Sequence, residues 1–106
     1  MIRADSGDEL ERAICASFGR LPATLKVEER SSRPWASITF AGARHRLRLS
    51  LRGPSAAASA DAFLAGLPER EFDLRGHFMA DIALIEDVRG DGSVRLTLEA
   101  LTVEAS

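Results

Sequence analysis

The side chains in this sequence that could do chemistry are a row of arginines, two histidines and a single cysteine. The arginines fall at alternate positions of the segment GARHRLRLSLRG, residues 42–53, with Ser50 completing the series. Guanidinium groups arranged in this way can bind phosphate or carboxylate groups. The candidate anion-binding or partner-binding residues are these arginines and the tryptophan that precedes them: Trp35, Arg44, Arg46, Arg48 and Arg52.

A structural interpretation of the arginine row is also open. Alternation with a period of two is typical of a β-strand that has one face in water. The arginines would then pair with Glu28, Asp73, Asp81 or Glu99 on neighbouring strands, and each exposed pair would contribute about 0.2–1 kcal/mol. The sequence alone does not separate this interpretation from anion binding.

The remaining reactive residues do not form a recognisable catalytic or metal site. On a strand, His77 and Asp81 would lie about 13 Å apart, which is too far to share a metal ion. Cys15 flanks the apolar stripe of a predicted helix, where an inert, half-buried thiol is expected. The sequence contains no nucleophile elbow, phosphate-binding glycine loop or Cys-x-x-Cys motif. We therefore expect a protein that is not an enzyme and that binds no metal and no cofactor.

Composition predicts one globular domain over residues 1–106, with 45% hydrophobic and 28% charged residues. The apolar runs are too short for a membrane span, and the N-terminal segment lacks the apolar region of a secretion signal, so we expect a cytoplasmic protein. The charge is unevenly distributed: residues 1–52 carry +4 and residues 53–106 carry −6. This division indicates either an anionic partner or two oppositely charged surfaces that neutralise each other.

The hydrophobic pattern predicts seven elements in the order α-β-β-β-α-β-β. A helix over about 7–18 would begin at a Ser6–Glu9 capping box, and an Ala-rich helix would follow Pro54. The turn SSRP (31–34) would separate the first two strands, LKVEE and WASITF. The last two strands, about 72–87 and 93–104, would contain bulges near Gly76 and near Glu99. The predicted fold is therefore a two-layer α+β domain, with a five-stranded mainly antiparallel sheet and two helices on one face.

The pairing of the second and third strands depends on the loop between them. A two-residue loop at 41–42 would place Trp35 over Arg48 in a cation-π contact, whereas a four-residue loop is also allowed. The core predicted from these patterns is apolar throughout: Leu10, Ile14, Phe18, Ile38, Phe40, Leu47, Leu49, Phe63, Phe78, Ile82, Leu96 and Leu98.

The predicted order resembles two known families in topology alone, without a matching motif. Its first five elements are similar to the double-stranded-RNA-binding domain, and the whole order is similar to type III secretion chaperones, which are small acidic dimers. The chaperone resemblance implies a protein-binding function without catalysis.

The sequence also predicts that the protein forms a homodimer. Met79, Ala83 and Ile85 are apolar at positions that should face water, and apolar side chains on both faces of a strand imply a second covering layer. We therefore expect a bacterial, non-catalytic, protein-binding or assembly module that uses these three residues as its dimer interface. The alternatives are nucleic-acid or other anion binding through Arg44, Arg46 and Arg48, and binding of a small apolar ligand.

Overall fold

A computed structural model describes residues 5–19 and 23–105. The elements are α1 (Ser6–Phe18), β1 (Thr24–Ala36), β2 (Ala41–Arg52), α2 (Ala56–Ala65), a short 3-10 helix (Leu67–Glu69), β3 (His77–Gly90) and β4 (Ser93–Glu104). The four strands form one antiparallel sheet in the order β1-β2-β4-β3. The α+β class and the antiparallel sheet are confirmed. The prediction of five strands in the order α-β-β-β-α-β-β is wrong, and both topological resemblances lose their basis with it. Because the remaining residues lie outside the described ranges, a single domain over 1–106 stays a prediction.

The missing strand is explained by the expected turn SSRP, which lies inside β1. An edge strand tolerates proline because one side of its backbone needs no partner, and β1 is an edge strand that contains Pro34. The chain instead reverses at residues 37–40, where the Ser37 amide donates to the Phe40 carbonyl over 2.7 Å. This longer loop places Trp35 opposite Gly42, so the expected contact between Trp35 and Arg48 is wrong.

Both helices pack on the same face of the sheet. On β2 the residues that face them are buried at every second position, from Ala43 to Leu51. The rings of Phe18 on α1 and Phe63 on α2 stack with their centroids 4.4 Å apart. The core cluster is Leu10, Ile14, Phe18, Leu47, Leu49, Leu51, Ala56, Ala60, Phe63, Leu67, Val94, Leu96, Leu98 and Ala100.

Three of the predicted core residues are exposed. Ile38 and Phe40 lie in the β1–β2 loop, with exposed fractions of 106% and 55%, and Phe78 is 50% exposed on the other side of the sheet. Ile82 is partly buried against the core. The error on Phe78 has a local cause, since the chain reverses at Gly76, where φ is +74°, and the strand begins only at His77.

The predicted bulges also differ from the observed ones. β4 pairs with both neighbours without a bulge of its own, so Leu101 and Val103 lie on the face away from the helices. The register shifts lie in β3, at residues 80 and 85, and in β1, at residue 28. At α1 the cap is Asp5 rather than Ser6, with its carboxylate accepting from the Gly7 amide over 2.7 Å.

A chain of hydrogen bonds through buried His45 connects β1, β2 and β4 at the edge of the core. His45 is 3% exposed, with Nδ1 lying 2.7 Å from Ser32 Oγ and Nε2 lying 2.8 Å from Thr102 Oγ1. The Thr102 hydroxyl donates to the Ala43 carbonyl, so its oxygen accepts from Nε2 and the Ser32 hydroxyl donates to Nδ1. Burial lowers the pKa of His45, and the charges of His77 and Arg30 lower it further, whereas Asp5 raises it. His45 is therefore neutral in the folded protein near pH 7.

Leu49→Ala tests the core assignment. Leu49 is completely buried in the central strand β2, so this change should reduce the free energy of unfolding by about 2–5 kcal/mol. Ile38→Ala removes a similar side chain from the exposed loop and should change it by less than about 0.5 kcal/mol. Urea denaturation of both variants measures the difference, and equal losses would contradict the assignment.

The low pKa of His45 predicts acid sensitivity. The pKa of His45 is the ordinary 6.5 in the unfolded chain and is lower in the folded protein. The unfolded state therefore binds more protons at this residue as the pH falls. The contribution of neutral His45 to stability is complete above about pH 6.5 and is lost as the pH falls through that value towards the folded pKa. Urea midpoints at pH 7.5 and 5.5 should show this loss in the parent and a somewhat smaller loss in His77→Gln, because burial, the largest cause of the lowered pKa of His45, remains in that variant. The account is wrong if His45→Gln shows the same loss.

Candidate assembly surface

The sheet face opposite the helices, which we call the open face, is covered by no helix or strand within residues 5–19 and 23–105. Residues that are partners across strands share a face, so the register divides the open face into six rows of four residues. From the β1–β2 loop to the β3–β4 turn, the rows are Trp35-Gly42-Val103-Phe78, Arg33-Arg44-Leu101-Asp81, Ser31-Arg46-Glu99-Ala83, Glu29-Arg48-Thr97-Glu86, Lys26-Ser50-Arg95-Val88 and Thr24-Arg52-Ser93-Gly90.

The first row is an apolar strip across the sheet. A Cβ atom at Gly42 would lie 1.9 Å from the Thr102 carbonyl oxygen and 3.1 Å from Cε2 of Trp35, so only glycine fits there. The Trp35 ring therefore covers backbone that has no side chain of its own. At the other end of the row, half of the Phe78 surface is exposed. Aromatic side chains at both ends of an apolar row are typical of protein contact sites.

All four arginines of the predicted row lie on the open face, and two of them are paired with acids. Arg46 Nε lies 3.5 Å from a Glu99 carboxylate oxygen, and Arg48 Nη1 lies 2.9 Å from one of Glu29. Glu99 is one of the four acids expected as partners, whereas Glu29 is not. The binding role of the arginine row stays a prediction.

Arg44 is different, because its neighbour across the strands is Arg33. Neither guanidinium group has an ion-pair partner among the described residues. Two like charges directly opposite each other on a sheet destabilise it unless a counter-charge is present. Sequence reasoning missed Arg33 because it lies in the expected turn, and the absence of any acid between Arg30 and Arg52 was the available signal.

The opposite side of the open face is acidic. Asp81 and Glu86 lie on the edge strand β3, and neither has an ion pair within residues 5–19 and 23–105. A shallow groove of about 520 Å³ crosses the face between the two sides, and its lining includes Arg33, Arg44 and Asp81. The open face is therefore basic along β1 and β2 and acidic along β3.

The two edges of the sheet are poor sites for adding another strand. Bulges interrupt β3 at residues 80 and 85 and β1 at residue 28, and β1 also contains Pro34. Bulges and prolines are common devices that block pairing between sheet edges. A partner is therefore better accommodated on the open face than at an edge.

The bulges in β3 separate the three residues of the predicted dimer interface. Met79 lies on the helix side and packs against the core. Ala83 lies on the open face opposite Glu99, and Ile85 occupies a bulge, with 47% of its surface exposed. The three residues do not share one face, so their joint role in an interface stays a prediction.

The closest approach to a catalytic arrangement is the hydrogen bond between Ser32 and His45. In a nucleophilic serine the histidine is oriented and its charge stabilised by a carboxylate. Here the second nitrogen of His45 meets the Thr102 hydroxyl, and burial keeps the ring neutral. This arrangement favours a structural connection between strands over proton transfer.

The other reactive side chains are arranged for structure as well. His77 Nδ1 donates to the Arg75 carbonyl over 2.9 Å. Burial raises the pKa of the Cys15 thiol, which makes it a weak nucleophile. Among the described residues, no group of three or more His, Cys, Asp and Glu side chains is placed to hold a metal ion.

Neither helix in the described part of the chain is long and apolar enough to cross a membrane. No family model matches the sequence, and no curated protein does. The fold is similar to that of a chain in the solved structure "Virion of native gene transfer agent (GTA) particle", with a TM-score of 0.64 and 18% sequence identity. The match covers 97% of this chain and 100% of that chain. At this identity, what the two chains are shown to share is the fold.

Proposed function

We propose that this protein is a non-catalytic assembly module that binds other protein subunits, including a second copy of itself, through its open face. The observation that carries the proposal is an uncovered sheet face on which half-exposed apolar side chains lie beside unpaired charges of both signs. An interface uses each part of this combination, because buried apolar surface and complementary charges both favour association.

The structural comparison supports an assembly role. The similar chain is part of a virion particle, and the match covers nearly all of both chains. Subunits of particles act by contacting other proteins, which agrees with a surface that has complementary charges and no catalytic arrangement. If this protein is also a particle subunit, its final location is the particle rather than the cytoplasm.

The size of the open face supports a homodimer. Four strands spaced about 4.8 Å apart and about 40 Å long present roughly 760 Å². A stable interface of standard size buries about 800 Å² on each partner. The open face of one copy is therefore large enough for a specific dimer without a contribution from the helices.

A protein partner fits this face better than a nucleic acid does. Arg46 and Arg48 are already paired with Glu99 and Glu29, so they are less available to phosphates. Asp81 and Glu86 lie on the same face and would repel a polyanion. A partner that presents both acidic and basic groups would match the whole face.

Phe78→Asp tests the use of the open face. Light scattering at micromolar concentration should give twice the mass of one chain for the parent protein and the mass of one chain for this variant. The expected loss follows from placing a charge in the apolar first row, where a partner would remove it from water. Because Phe78 is half-exposed in a single copy, the variant should remain folded, which circular dichroism checks.

The matched control is Ala57→Asp, which adds the same charge at an exposed position of α2. This variant should keep the mass of the parent. A parent protein with the mass of one chain at all accessible concentrations would contradict homodimer formation.

A further inference from the structure

We propose that two copies pack open face to open face about a twofold axis parallel to the strands, so that Arg33 of each protomer pairs with Asp81 of the partner subunit. This inference rests on the proposed function and adds the geometry of the interface and the residues that specify it. It follows from the six rows of the open face and from the charges that have no partner within one copy.

A symmetric dimer of two facing sheets has two simple choices of axis. An axis parallel to the strands places each row over the same row of the partner subunit and exchanges the β1 side with the β3 side. An axis perpendicular to the strands places each strand over itself and reverses the order of the rows. The two arrangements therefore bring different charges together.

The parallel axis brings opposite charges together. It places Arg33 over Asp81 of the partner subunit and Arg46 over Glu99 of the partner subunit, and each contact occurs twice. It has one kind of contact between like charges, Glu29 over Glu86 of the partner subunit, which also occurs twice. Arg48 lies 2.9 Å from Glu29 and lies in the same row, so a cation is available at that contact.

The perpendicular axis instead brings like charges together along β1 and β2. It places Arg33 over Lys26 of the partner subunit, and neither has an acid beside it among the described residues. It also places Arg46 over Arg48 of the partner subunit, where Glu99 and Glu29 supply counter-charges. Like charges brought together in an interface weaken association and suppress wrong arrangements. The division of charge across the open face therefore favours the axis parallel to the strands.

The apolar first row fits the same arrangement. With the parallel axis, Trp35 lies over Phe78 of the partner subunit, and Gly42, which has no side chain, lies over Val103 of the partner subunit. Aligned sheets cross at about 30°, so the match is closest at one point along the strands. The apolar first row and the unpaired charges of the second row put that point at the end of the sheet near the β1–β2 loop.

Charge reversal at two positions tests the arrangement. Arg33→Glu places two acids together at both contacts, and Asp81→Arg places two arginines together, so each variant alone should dimerise at least about tenfold more weakly than the parent. A mixture of the two variants should form heterodimers with the affinity of the parent, because both contacts then join an acid to an arginine. Analytical ultracentrifugation of each variant and of the mixture measures this.

Recovery of affinity in the mixture can arise only from a contact between residue 33 of one copy and residue 81 of the other. Within one copy, Arg33 and Asp81 lie on opposite edges of the sheet, three strand spacings or about 14 Å apart. The control is Arg52→Glu, which reverses a charge in the sixth row, where the partner subunit presents Ser93. This variant should dimerise like the parent.

The outcomes separate this inference from the proposed function. A parent protein that dimerises and is dissociated by Phe78→Asp, but whose charge variants do not form heterodimers when mixed, overturns the arrangement and leaves the assembly surface in place. A parent protein that does not self-associate overturns the arrangement and the homodimer together.

Discussion

The structure depends on the fact that two short helices can cover only one face of a long four-stranded sheet. With 13 and 10 residues, the helices are about 20 and 15 Å long, whereas strands of 12–14 residues extend about 40 Å or more. The helices therefore cover the apolar face, and the opposite face must be compatible with water or with a partner. Arginine is suited to both water and a partner, because the aliphatic part of its side chain covers the sheet while the guanidinium group remains in solvent. This explains how Thr97, in the centre of the open face, is only 5% exposed without a covering layer.

Much of the fold could be predicted because the apolar alternation in β2 admits one assignment of faces, whereas the apolar pattern of β4 changes phase after Leu98 although the strand has no bulge there. The positions of the two helices also followed from their apolar stripes and from the Gly and Pro residues that end them. The number of strands could not be derived in the same way, because a proline is read as a turn unless the strand is known to be at an edge. Whether a strand lies at the edge of a sheet depends on contacts between distant segments, so it cannot be inferred from the local sequence.

The candidate site could be predicted in part from the same alternation of side chains along β2. The arginines of β2 were placed on one face correctly by their spacing. Their neighbours depend on the register, which the four-residue loop at 37–40 and the bulges of β3 determine. A bulge changes which face every later residue occupies. Met79 and Ala83 therefore lie on opposite faces of the sheet, although their spacing in the sequence predicted the same face. Arg33 and Phe78 joined the open face only when the register was known.

If the open face is a protein interface, the sequence provides a reporter for it, since Trp35 is the only tryptophan. Trp35 lies in the first row of the open face, away from the helices. The most direct measurement is its fluorescence emission over a dilution series that also reports mass. If the open face is the interface, the emission maximum should move to longer wavelength and iodide quenching should increase as the mass falls from two chains to one. Emission and quenching that stay constant while the mass halves would show that the open face is not the interface.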